Sequence, residues 1–313
     1  MEAIFENVLN IQWQQVVMWA IGAILVYLAI KKDMEPTLLL PMGFGAILVN
    51  LPLSGAVTQG AEVGILNVLF NAGIANELFP LLLFIGIGAM IDFGPLLSNP
   101  KLMLFGAAAQ FGIFFTLAMA TLLGFDLKDA ASIAIIGAAD GPTSIFVANY
   151  FHSNYLGPIM VAAYSYMALV PIVQPPVIKA ITSRKERLIR MESKNTQVTK
   201  TTRILFPLVV TAVAGIVAPR SVALIGFLMF GNLIRECGVL NSLSETAQNA
   251  LANLITLLLG LTVASQMTAE AFVRLDTLMI LALGLVAFIF DTIGGVFFAK
   301  LLNLFLKHKI NPM

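Results

Sequence analysis

The sequence predicts an all-α, polytopic membrane protein with an inverted-repeat, transporter-like fold. Three observations carry that expectation. The chain of 313 residues is 59% hydrophobic and only 11% charged, where a soluble domain is about 25% charged, and its mean hydropathy is +0.92. Apolar runs long enough to cross a bilayer as helices recur from end to end. Finally, one long polar loop divides the chain into halves that look alike, the trace that duplicated transporter repeats leave. The net charge of +1 provides no nucleic-acid footprint. The single Cys237 excludes an intrachain disulfide or a thiolate zinc cluster and reads as a small buried hydrophobe.

The N-terminus, "MEAIFENVLNIQW", is acidic where a signal peptide needs a basic start, and no cleavage pattern follows Lys31-Lys32, so the first apolar run is expected to be a retained span. Spans are expected at 13–30, 37–53, 77–91, 102–124, 156–178, 204–219, 221–236, 250–267 and 277–305. The apolar segment 60–72 is too short to span and reads as interfacial or re-entrant. The polar loop from Lys179 to Arg203 holds eight of the 18 basic residues. By the positive-inside rule it is cytoplasmic, with the tail residues Lys300, Lys307 and Lys309 on the same side and the N-terminus outside. The expected organisation is a first membrane repeat over 1–178, the loop over 179–203 and a second repeat over 204–313. In the repeats, "PLLLFIGIGAM" corresponds to "ITLLLGLTVASQM". The step from Gly86 to Asp140 is 54 positions, and from Gly260 to Asn311 it is 51.

"GAADGPTSIF" marks the chemistry. The segment 130–150 has two apolar stretches, neither able to span, joined at Asp140-Gly141-Pro142. Pro142 lacks an N–H and pushes Gly141 out of the helical region, and Gly141 tolerates the resulting angles, so a broken helix is expected. Broken backbone at membrane depth must line a polar cavity. An acid there costs about 2.5–3.5 kcal/mol, which marks it as functional. The half-helix ending at Asp140 is expected to present free carbonyls. With the hydroxyls of Thr143 and Ser144, these hard oxygens suit Na⁺ or H⁺ in competition at Asp140, and no transition metal. The competing reading is an ordinary surface turn. Tyr164 and Tyr166 open "YSYMALVPIVQPP", and Tyr166 is expected to reach the Asp140 site. Asn249, Asn253, Thr256 and Gly260 are spaced to share a helix face, either lining the site or packing between helices. Asp291 in "AFIFDTIGG" is a second intramembrane acid and a candidate further ligand. His152 and His308 lie near membrane edges, and no nucleophile–base pair or phosphate loop is present.

Together, "GAADGPTSIF", "YSYMALVPIVQPP", "GNLIRECGVLNSLSETAQNALANLITLLLGL" and "KINPM" resemble the β subunits of the biotin-dependent, sodium-translocating decarboxylases of oxaloacetate, methylmalonyl-CoA and glutaconyl-CoA, over essentially the whole chain. The resemblance implies a subunit of a decarboxylase complex in a prokaryotic cell (inner) membrane. Carboxybiotin from a partner biotin carrier is decarboxylated with consumption of a proton, and Na⁺ moves outward. The implied partners are that carrier, a carboxyltransferase α subunit, a small γ membrane subunit and further copies of β in a homotrimer. By the same resemblance Asp140 is the Na⁺/H⁺ carboxylate, Tyr166 belongs to its catalytic machinery, Gly141, Thr143 and Ser144 belong to the cation site, and Asn311 begins the second site motif. Pro312 is the second helix breaker. In the family a Gly, a Ser and an Arg follow, then further helices. This chain stops at Met313, so the second broken helix is expected to be truncated and the isolated chain is expected not to pump. The alternatives are a Na⁺- or H⁺-coupled secondary transporter of an organic anion, or an inactive remnant.

Overall fold

The computed structural model describes residues 11–60, 62–191, 198–306 and 309–313. Among these, the architecture is helical, and the one β-type pairing is an isolated bridge between Gln59 and Glu62. Helices α1 (Trp13–Lys32), α2 (Pro36–Val49), α3 (Ile65–Gly73) and α4 (Leu78–Met90) lead to α5 (Pro100–Leu122), which turns at Gln110. The broken segment follows as α6 (Leu127–Ala134) and α7 (Gly141–Tyr150). Helix α8 (Leu156–Ile181) runs into the polar loop, and α9 (Lys200–Val217), α10 (Val222–Cys237), α11 (Asn241–Ala264) and α12 (Leu275–Phe305) complete the chain.

Six of these, α1, α5, α8, α9, α11 and α12, are long and apolar enough to cross a membrane, and α3 with α4, bent by 62°, makes up to 7. A helix stands at each of the nine expected spans, and α2, α4 and α10 are shorter than the six. The expected span 37–53 ends early because α2 stops after 14 residues at Val49. Asn50, 3% exposed, ends it. Its Nδ2 donates to the carbonyls of Ala46 (2.8 Å) and Met267 (2.7 Å), and its Oδ1 accepts from the Ala269 N–H (2.7 Å). Helices α4 and α10 are 13 and 16 residues long. The expected short element at 60–72 is α3, joined to α4 through a turn in which Glu77 is left-handed.

The halves interlock. Helix α2 packs between α1 and α11, α4 lies against α10, and α8 lies against α12. The α4–α10 crossing is backbone on backbone. A Cβ at Gly88 would lie 1.9 Å from the Leu228 carbonyl oxygen, and one at Gly231 would lie 2.0 Å from that of Ile85. Two buried apolar clusters result. One holds Ile145, Met160, Tyr164 and residues of α2 and α11, and the other holds Ile133, Ile136, Tyr166, Ile280 and Leu283. The break between α6 and α7 lies where they meet.

The polar loop and the end of α12 are joined. Ser183 caps the turn Arg184–Arg187 in a capping box with Glu186, and Glu186 pairs with Lys300 at 3.2 Å. The N–H and hydroxyl of Ser183, with Lys300 behind them, push the Glu186 carboxyl down to about 2. Lys300 therefore sits on the side of the loop, as its charge led one to expect, while Lys307 and His308 lie outside the described residues.

Candidate functional site

Helix α6 tightens into a 3₁₀ turn over Ile135–Ala138, and Ala139 then turns left-handed at φ 51°. Asp140 is extended (φ −125°, ψ 98°) and is the N-cap of α7. Its Oδ1 accepts from the Thr143 N–H at 3.3 Å, its Oδ2 accepts from the Thr143 hydroxyl at 2.5 Å, and its carbonyl accepts from the Ser144 hydroxyl at 2.9 Å. The side chain is partly buried, and Pro142 and Ser144 are buried beside it. Helix α7 is fixed on its far side by Asn149, whose Nδ2 donates to the Ile74 carbonyl (3.0 Å) in the turn between α3 and α4.

The helix is broken where the sequence placed the break, but its chemistry differs in two respects. Asp140 does not end the first half-helix at a carbonyl-rich C-terminus. It begins the second, where the helix dipole is positive and a carboxylate is favoured. Pro142 sits in the first turn of α7, where its missing N–H costs nothing, and the left-handed residue is Ala139 rather than Gly141. Gly141 is a glycine for steric reasons. A Cβ there would lie 2.5 Å from Cε1 and Cζ of Tyr164.

Tyr166 is not at Asp140. Its hydroxyl donates to the Leu281 carbonyl of α12, and its ring lies against Gly284 beside Ile136. Residues two apart on a helix face different directions, so it is Tyr164 whose ring covers the break. Asn311 is also elsewhere. Its Nδ2 donates to the carbonyls of Arg187 (3.1 Å) and Ile189 (3.2 Å) in the polar loop. Pro312 breaks no helix, because α12 has already ended at Phe305. Asn303 pairs with both backbone groups of Ile310 (2.8 Å each) and turns the chain back.

The stripe on α11 does not line the site. Asn249 and Asn253 are exposed, Thr256 donates to the Ala252 carbonyl (2.7 Å), and Gly260 packs on α2. A π-turn at Ala247–Leu251 shifts the helical phase that the spacing assumed. Asp291 faces the turn in α5. Its Oδ1 accepts from the Ile113 N–H at 3.1 Å, and a Cβ at Gly137 would lie 3.3 Å from its Oδ2. It thus braces α5 next to the 3₁₀ turn that leads into Asp140. Sequence reasoning missed Asn50 and Asp129. The latter, 5% exposed, accepts from the Ser153 hydroxyl (2.7 Å) and the Asn154 N–H (3.1 Å), and so holds α6 to the far end of α7. Only its place in the first turn of a helix signalled such a role.

A family model described as the Na⁺-transporting oxaloacetate decarboxylase beta subunit matches residues 14–313. The chain is 48% identical over 320 aligned positions to the methylmalonyl-CoA decarboxylase subunit beta of Propionigenium modestum, covering 95% of this chain and 80% of that one. It is 50% identical over 301 positions to the glutaconyl-CoA decarboxylase subunit beta of Acidaminococcus fermentans, covering 96% and 79%. With the oxaloacetate decarboxylase beta chain of Klebsiella pneumoniae it shares 42% identity over 357 positions, covering 96% and 82%.

Proposed function

Because the chain belongs to the family of Na⁺-transporting oxaloacetate decarboxylase β subunits, we infer that it is the membrane subunit of a Na⁺-pumping decarboxylase, with its ion site at the break between α6 and α7. The observation that carries the site is Asp140, an acid capping a helix inside an apolar bundle, partly buried and with no cationic partner among the described residues. Its carboxylate oxygens and the Thr143 hydroxyl oxygen beside them are hard oxygens suited to Na⁺. A proton and a Na⁺ compete for the same carboxylate. The positive end of α7 points at the carboxylate and opposes a bound cation. Such a site binds weakly enough to release its ion, which conduction requires.

Carboxybiotin, carried by a partner subunit, would supply the driving reaction, a decarboxylation that consumes one proton. This chain's part is the ion. Asp140 exchanges Na⁺ for H⁺, so that the proton demand of the reaction is linked to Na⁺ movement. On the loop side, Arg203 is engaged by Asp92 (3.3 Å) and Glu236 (3.6 Å), and Arg235 by the Met90 carbonyl. Both arginines are thus committed to the bundle. The partners of this reading are a biotin carrier, a carboxyltransferase subunit, a γ subunit and further β copies. Its topology places the loop 179–203 in the cytoplasm and the N-terminus outside. The pairing of α4 with α10 and of α2 with α11 supports two interlocked repeats, 1–178 and 204–313, around that loop.

The test is Asp140→Asn in the assembled complex in liposomes. The amide keeps the cap but cannot carry the charge or exchange a proton, so Na⁺ uptake coupled to decarboxylation should disappear while the complex still assembles. Retained Na⁺ uptake would refute the assignment.

A further inference from the structure

Tyr164 is 1% exposed, and its hydroxyl has no hydrogen-bond partner among the described residues. A buried hydroxyl without a partner is unfavourable, and few survive in folded proteins without a reason. The location of this one is informative. The distal half of the ring lies over Gly141, with Cε1 and Cζ where a Gly141 side chain would be. Cζ carries the hydroxyl, so the oxygen lies on the part of the ring that covers Gly141, the residue that follows the cap Asp140. Its neighbour Tyr166 differs on each count, since its hydroxyl is committed to the Leu281 carbonyl of α12.

We propose that the Tyr164 hydroxyl oxygen is a neutral ligand of the Na⁺ held at Asp140, and thereby sets Na⁺ against H⁺ at that site. The inference rests on the ion-site reading given above. A phenol oxygen has lone pairs for a cation and satisfies its own burial by using them. A proton on Asp140 needs no such ligand, because it binds one carboxylate oxygen. Tyr164 therefore favours Na⁺ and leaves the proton alone. The glycine at 141 serves the same arrangement, since any larger residue would hold the ring away from the break.

The test is Tyr164→Phe in the complete, purified complex, with the exposed Tyr27→Phe as control and Asp140→Asn in parallel. Decarboxylation is measured as a function of Na⁺ at two pH values, and thermal stability with and without Na⁺. The half-saturating Na⁺ of Tyr164→Phe should rise about tenfold or more, as expected for deleting one neutral partner of a charged group. Its stability in the absence of Na⁺ should hold or rise, because a buried hydroxyl without a partner among the described residues has gone, and the additional stability conferred by Na⁺ should shrink. Inhibition by protons in the absence of Na⁺ should stay as in the wild type. An unchanged half-saturating Na⁺, or an activity loss equal at all Na⁺ concentrations, would overturn the proposal. If Tyr164→Phe lowers the yield, the stability gained on adding Na⁺ to the surviving complex still decides, because a gain equal to that of the wild type overturns it. Should Asp140→Asn keep Na⁺ dependence, the ion-site reading itself fails, an outcome distinct from failure of Tyr164 alone.

Discussion

Replacing Gly141 with alanine tests the construction of the site with the smallest possible change. The new Cβ would sit 2.5 Å from Cε1 and Cζ of Tyr164 and 2.9 Å from Cδ1, where carbon atoms prefer about 3.5–4.0 Å. A displacement of about 1 Å is needed. Tyr164 is fully buried among Ile145, Met160 and residues of α2 and α11, so the ring has no free direction. Overpacking of a closed core costs about 1–3 kcal/mol, roughly a 5- to 150-fold loss in the folded-to-unfolded ratio. The complex should denature earlier in heat or detergent, and, on the proposed role of Tyr164, the half-saturating Na⁺ should rise. In a Tyr164→Leu background the same glycine replacement should cost less than about 1 kcal/mol, because the clashing ring atoms are gone. A Gly141→Ala complex with wild-type stability and Na⁺ response would refute the steric account of this glycine.

Two further outcomes are expected. Asn50→Asp keeps an acceptor for the Ala269 N–H but loses both donations to the Ala46 and Met267 carbonyls, so denaturation should report a loss of about 2–4 kcal/mol; a change below about 0.5 kcal/mol would show that Asn50 is not the clamp between α2 and the end of α11. Glu186, held down to about 2 by Ser183 and Lys300, contributes stability present above its ordinary value of 4.5 and lost as pH falls toward about 2. Glu186→Gln should mimic that loss at neutral pH and raise trypsin cleavage at Arg184, Lys185 and Arg187 several-fold. Unchanged cleavage would mean that the turn does not depend on the carboxylate.

Much of the fold was legible in hydropathy alone, because a span is defined by length and apolarity. What hydropathy missed were interruptions made by single polar residues. Asn50 ends a helix through partners more than 200 residues away in sequence, and no local signal foretells that. At the site, Asp140 and the break were legible from short flanking runs and from Gly-Pro. The direction of the cap was also present in the sequence, since an Asp before Gly-Pro-Thr places a cap, a first-turn proline and a hydroxyl in N-terminal order. Of the Asn249–Gly260 stripe, the helix-packing alternative holds at Gly260, which lies against α2, while Asn249 and Asn253 are exposed, and the π-turn at Ala247–Leu251 shifts Asn249 out of phase with the rest.

The two tyrosines explain why the break lies where two cores meet. Tyr164 belongs to the cluster with α2 and α11, and Tyr166 to the cluster with α12. One helix, α8, carries both, and their separation by two residues directs them to opposite sides of the broken segment. The ring of Tyr164 bears on Gly141 after the break, and that of Tyr166 lies beside Ile136 before it. A shift of one cluster against the other must therefore alter the approach of the 3₁₀ turn to the start of α7, where Asp140 is held by Thr143 and Ser144. The packing thus ties both clusters to the break, with Asp140 at the junction and the hydroxyl of Tyr164, unlike that of Tyr166, without a partner among the described residues.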